Sequence, residues 1–255
     1  MDVLGFVVLL LVGAVVGLLG GLMGIGGGLF AIPLLGVVYG LDQQHAQGTS
    51  LVMVVPNVAI GLWSYAKKRK IDLRIALALA LTAAPLTFVG AHFATHVPSA
   101  PLRIAFALFI IAIAAIMTYN GLAPARSLDR PPQRIYPWPA ATGVGALGGA
   151  VSGAFGVGGA VFAIPLLSFL FALPQAAAQA YGLALVAPGT LVGITTYALA
   201  GDVNWGIGIP LALGGLFTVP YGVRLAYRLP DRTLRLAFAG LMIVSAIALL
   251  VRAGG

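Results

Sequence analysis

Apolar runs separated by short polar breaks occupy almost the whole chain, at about 3–19, 27–40, 47–66, 74–94 and 102–119, and again at about 138–155, 159–173, 179–200, 206–222 and 235–251. Most reach the ~20 residues that carry an α-helix across ~30 Å of hydrocarbon. Backbone polar groups find no water in lipid, so runs of this length are predicted to be helices, whose N–H and C=O groups satisfy one another. The second run of each set is shorter, follows directly on a glycine cluster and contains a proline, Pro33 or Pro165. It predicts a broken or re-entrant helix.

The two sets are copies. Residues 13–120 reappear at 145–252 with a constant shift of 132, so that GLMGIGGGLFAIPLL (21–35) matches GAFGVGGAVFAIPLL (153–167). Gln43 pairs with Gln175, Gln47 with Gln179, Pro56 with Pro188, Tyr65 with Tyr197, and Arg103 with Arg235. A repeat inside an apolar chain is the signature of many secondary transporters, whose binding site lies between the halves near the membrane midplane. The expected fold is an all-α polytopic membrane protein of two repeats with about five segments each. The first repeat is placed at 1–120, a cytoplasmic linker at 121–137 and the second repeat at 138–255.

Composition agrees: 60% of the 255 residues are hydrophobic and 8% charged, with a mean hydropathy of +1.05. Too little polar surface remains to cover a soluble globule. The net charge of +8 suggests nucleic acid until its placement is considered. Lysine and arginine cluster at Lys67, Lys68, Arg69, Lys70 and Arg74, then at Arg126, Arg130 and Arg134, then at Arg224, Arg228, Arg232 and Arg235, leaving only Arg103 and Arg252 elsewhere. If each run crosses once, all three clusters fall on one side, which the positive-inside rule makes cytoplasmic. Both termini then face outward from an inner (cytoplasmic) membrane, and the cations mark topology beside anionic lipid instead of a nucleic-acid groove. The basic 67–74 loop corresponds to 199–206, which has no cation, whereas the 95–103 loop corresponds to the arginine-rich 227–235. The bias swaps sides, as it must for inverted-topology repeats. Asp2 and the absence of a cation before the first run argue for a retained helix over a signal peptide.

The candidate chemistry lies in the few polar and glycine positions. GIGGG (24–28) and GVGGA (156–160) each precede a helical run. Glycine lets a ligand approach main-chain N–H groups, and a helix N-terminus adds unpaired donors and a positive dipole end. Gly26, Gly27, Gly28, Gly158 and Gly159 are therefore candidate anion ligands, with close helix crossing as the alternative use of the same residues. Gln47 and Gln179 follow as neutral donors, with helix capping as the alternative. Asn57, deep in the third run, is either an interhelical bond or a ligand contact. Cysteine and glutamate are absent, and the six aspartates fall in predicted loops or termini, so no carboxylate is placed for a mid-membrane proton or sodium relay. No metal site or cofactor is expected. His45, His92 and His96 all fall toward the predicted outer face.

These motifs resemble the sulfite exporter TauE/SafE family, also called the 4-toluene sulfonate uptake permeases, over essentially the whole chain. The resemblance rests on GGLMGIGGGLFAIPLL, on QHAQGTSL and on GAVSGAFGVGGAVFAIPLL. It implies transport of small sulfur-containing anions such as sulfite, sulfoacetate or organosulfonates, and it points to the glycine motifs together with Gln47, Thr49 and Ser50. The second copy reads AQAYGLAL, so Tyr181 stands where Thr49 does in the first. Two other classes stay open: an intramembrane enzyme, with Ser152 as nominal nucleophile but no histidine in its half, and a non-transporting membrane subunit. The expected partners are a small anion and the bilayer, with no nucleic acid; homo-oligomer formation is left open.

Overall fold

The computed structural model describes residues 3–68, 71–122, 138–171 and 173–251. They form ten helices: α1 (Val3–Met23), α2 (Gly28–Tyr39), α3 (Gln43–Lys68), α4 (Leu73–His96), α5 (Ser99–Leu122), α6 (Trp138–Phe155), α7 (Ala160–Leu170), α8 (Gln175–Leu199), α9 (Trp205–Ala226) and α10 (Asp231–Val251), with no strand among the described residues. Each of the first five reappears among the second five with its ends displaced by 132, to within about three residues. Of the expected linker, 121 and 122 belong to the end of α5, and 123–137 lie outside the described residues.

Seven of these helices, α1, α3, α4, α5, α8, α9 and α10, are long and apolar enough to cross a bilayer. With 12 and 11 residues, α2 and α7 reach only ~18 and ~16 Å. Neither spans alone, as the glycine clusters and internal prolines predicted.

Small residues set the packing. On α1, Gly13, Gly17 and Gly21 face the backbone of Leu211, Gly215 and Val219 on α9; on α6, Gly145, Gly149 and Gly153 face Leu79, Ala83 and Thr87 on α4. Lipid tails are as apolar as leucine, so helices gain from each other chiefly by close van der Waals approach, which glycine permits. The interior pair is α3 and α8, whose Met53, Val54, Val58, Leu183, Leu185 and Val186 are all buried. Asp72 caps α4 by accepting from Arg74 N at 2.9 Å, and its counterpart Asn204 caps α9 by accepting from Ile207 N at 3.2 Å. Each satisfies one of the orphan donors of a helix start.

Candidate functional site

The two glycine clusters fold into turns that only glycine adopts without strain. Gly24, Gly26 and Gly27 have φ of 69°, 73° and 100°, and Gly156 and Gly158 have 63° and 70°. Gly159 differs from its counterpart Gly27, with φ of −58°, yet has no room for a side chain because Gly148 O lies against its Cα. These turns deliver the chain into α2 and α7 in mid-structure. They also touch: a methyl group placed on Gly28 would lie 3.2 Å from Val157 Cα and 3.3 Å from Gly156 O. All of Gly24 to Gly28 and Gly156 to Gly159 are buried. Among the described residues, no hydrogen-bond partner receives the N–H of Gly26, Gly27, Gly158 or Gly159.

A glutamine from the opposite repeat packs on each turn. A methyl on Gly24 would meet Gln179 Cβ at 2.5 Å, and one on Gly156 would meet Gln47 Cβ at 2.8 Å. Both glutamines are fully enclosed at 0% exposure. Tyr197 Oη lies 2.8 Å from Gln47 Oε1 and 3.0 Å from Gly153 O. The counterpart Tyr65 Oη lies 2.7 Å from Gln179 Oε1 and 3.0 Å from Gly21 O. Gln179 Nε2 donates to Leu22 O at 3.2 Å, whereas Gln47 Nε2 is buried with no partner among the described residues.

The remaining candidates divide. Asn57 Nδ2 donates to Gly26 O at 3.1 Å, which ties α3 to the first turn and leaves Oδ1 buried without a described partner beside Gly215. Thr49, Ser50 and Tyr181 make other contacts. Thr49 Oγ1 accepts from Asn204 N at 2.9 Å, Tyr181 Oη accepts from Asp72 N at 3.0 Å, and Ser50 Oγ donates to Gln47 O within its own helix. Thr49 and Tyr181 thus occupy equivalent places, each binding the N-cap residue of a helix in the other half.

A family model described as "Sulfite exporter TauE/SafE" matches residues 9–249, nearly all of the chain. The chain belongs to this family. A probable membrane transporter protein of Xylella fastidiosa strain Temecula1 is 32% identical over 220 residues, covering 85% of this chain and 83% of its own. The probable membrane transporter protein YunE of Bacillus subtilis is 24% identical over 238 residues, with 88% and 86% coverage. One from Methanocaldococcus jannaschii is 26% identical over 258 residues, with 95% and 94% coverage. This TauE/SafE protein is therefore a multi-pass membrane transporter and not an enzyme, as its motifs implied.

At one end of the α3–α8 pair, the TauE/SafE fold here joins a histidine and two aspartates. His45 Nδ1 lies 3.0 Å from Asp42 Oδ1 and 3.6 Å from Asp202 Oδ1 across the repeat boundary. Burial raises the Asp202 carboxyl above its ordinary value; His45 opposes the rise and Asp42 adds to it. Sequence reasoning passed over Asp202 as a loop residue and Tyr65 and Tyr197 as mere repeat markers. The duplication of a tyrosine at the matching positions 65 and 197 was the available signal.

Proposed function

We propose that this transporter carries small sulfur-containing oxyanions such as sulfite, sulfoacetate or organosulfonates, and binds them where the two glycine turns meet. The observation that carries the reading is the set of buried N–H groups on Gly26, Gly27, Gly158 and Gly159 without a described partner, in two turns that touch and that lead into the starts of two helices. A buried unpaired donor costs about 1 to 3 kcal/mol, and an oxyanion offers several acceptors at once. Two helix N-termini, each worth roughly half a positive charge, add attraction for the anion without requiring a cation. Gln47 Nε2 supplies a further open donor. Glycines at 13, 17 and 21 and at 145, 149 and 153 serve helix crossing, and Gly27 and Gly159 are also tightly packed, against Gly20 and Gly148, so the reading of the turns as a site rests on their open N–H groups and not on spare room.

Under the positive-inside rule the basic loops support inverted repeats with Lys67 and Lys68 on the cytoplasmic side of an inner membrane and the Asp42, His45 and Asp202 cluster on the outer side. The interior-negative potential then favours export. The test is flux of sulfite and of a permanently ionised sulfonate through purified protein in sealed liposomes. Gln47→Leu is expected to weaken sulfite binding by about 1 to 3 kcal/mol, and Gly27→Leu to abolish flux while the protein remains monodisperse in detergent. Absence of movement of either anion in both directions refutes the substrate reading. Folded variants with unchanged sulfite affinity return the turns to a packing role.

A further inference from the structure

Tyr65 and Tyr197 sit at opposite ends of the interior helix pair. Gln47 and Tyr65 are 18 positions apart on α3, or ~27 Å along the helix. Gln179 and Tyr197 have the same spacing on α8. Because Tyr65 bonds Gln179 and Tyr197 bonds Gln47, α3 and α8 run antiparallel and are fastened at both ends, with the meeting glycine turns between the fasteners. One fastener lies toward Lys67 and Lys68, the basic face; the other lies toward Asp202, whose N–H donates to Tyr197 O at 2.9 Å, the acidic face.

Each tyrosine has one hydroxyl proton and two acceptors within reach. One acceptor is the glutamine of the opposite repeat. The other is a carbonyl of its own repeat: Gly21 O for Tyr65 and Gly153 O for Tyr197. If the repeats part at that end, the proton turns to the glycine carbonyl and no buried donor is stranded. The tyrosine hydroxyl escapes the penalty of an unpaired buried donor, and water entering the parted end pairs the glutamine oxygen it leaves, so only a modest net difference separates closed from open. We propose that Tyr197 and Tyr65 are the two gates of the anion path, opening it to the acidic and basic faces respectively as each hydroxyl, keeping its proton, redirects its hydrogen bond from the opposite repeat's glutamine oxygen to its own repeat's glycine carbonyl. The idea rests on the path running between the glycine turns.

A reporter between the gates separates this from simple loosening. Val54 is fully buried, and its methyls lie within about 3 Å of where side chains on Gly26 and Gly28 would begin. The chain has no cysteine, so Val54→Cys is a single label site. Labelling by a membrane-impermeant maleimide is followed in right-side-out and inverted vesicles, with Asp202→Cys and Lys68→Cys assigning the faces. Adding Tyr197→Phe is expected to raise the labelling rate from the acidic face about fivefold and leave the basic face unchanged; Tyr65→Phe is expected to do the reverse. Gln47→Leu and Gln179→Leu remove the same bonds from the other partner and must reproduce the sidedness of Tyr197→Phe and Tyr65→Phe, including where a phenylalanine variant fails to fold. Increased labelling from both faces equally, from the same face in both variants, or in neither overturns the proposal. The assay uses no substrate. Sided labelling without sulfite flux would keep the gates and remove the substrate reading, whereas flux with unsided labelling would remove the gates alone.

Discussion

Gly149→Ala and Gly143→Ala are the same substitution in the same helix, α6, and the structure predicts opposite signs. A methyl on Gly149 would lie 2.2 Å from Ala83 O and 2.6 Å from Ala83 Cα, both fixed backbone atoms of α4. Ordinary Cβ contacts begin near 3.4 Å, so the two helices must part by about 1 Å along a crossing that Gly145 and Gly153 also hold tight. Overpacking of this kind costs about 1 to 3 kcal/mol. Replacing helical glycine by alanine returns about 0.5 to 1 kcal/mol through backbone entropy, so the net for Gly149→Ala is a loss of about 1 to 2 kcal/mol. Gly143 has nothing within 4 Å of the new methyl and should show only the gain. At roughly 2 to 4 °C per kcal/mol for a chain of this size, the midpoints should move down by about 4 °C for Gly149→Ala and up by about 2 °C for Gly143→Ala. The measurement is the loss of monodisperse protein on size exclusion after heating in detergent. A Gly149→Ala protein as stable as the parent, or a shift of both variants in one direction, would show that the α4–α6 approach is not the tight one described.

Two further outcomes concern the membrane itself. An impermeant maleimide added outside intact cells should label Asp202→Cys and spare Lys68→Cys; equal labelling of the two defeats the orientation inferred from the basic loops. No described carboxylate lies within the helix pair, so a permanently ionised sulfonate should follow its own electrochemical gradient. A 100 mV potassium–valinomycin potential is worth about 2.3 kcal/mol per charge, or roughly 50-fold accumulation of a monoanion, and uphill movement driven by a pH gradient at zero potential would contradict this.

The repeat offset of 132 was legible in the sequence and carried a great deal with it: the matched helices, the two short ones, and the glycine turns before them. Composition sufficed because a helix in lipid is dictated by length and polarity. Partner choice was not legible. Periodicity tells which face of α3 carries Gln47 but not that Tyr197, 150 positions later, reaches it. Thr49 and Tyr181 show the same limit. Their equivalence could be read from alignment, while their bonds to Asn204 N and Asp72 N depend on how α9 and α4 start beside them. Asp202 was discounted as an isolated loop acid, since nothing local in the chain brings it to His45.

The two tyrosine–glutamine fasteners have an evolutionary reading. A single repeat contributes the tyrosine of one and the glutamine of the other, which is the self-complementary arrangement of a two-fold isologous dimer. Two separate copies of one ancestral half, inserted in opposite orientations, would have formed both fasteners from a single encoded Gln and Tyr. Fusion of two such copies into one chain would free them to diverge without losing that reciprocity. The divergence is visible where Asn57 faces Gly189 in the alignment and Thr49 faces Tyr181. The tyrosine–glutamine pairs thus keep the two-fold reciprocity, while positions beside them (Thr49 against Tyr181) and between them (Asn57 against Gly189) differ between the halves, so one half can change without altering how the two helices are fastened.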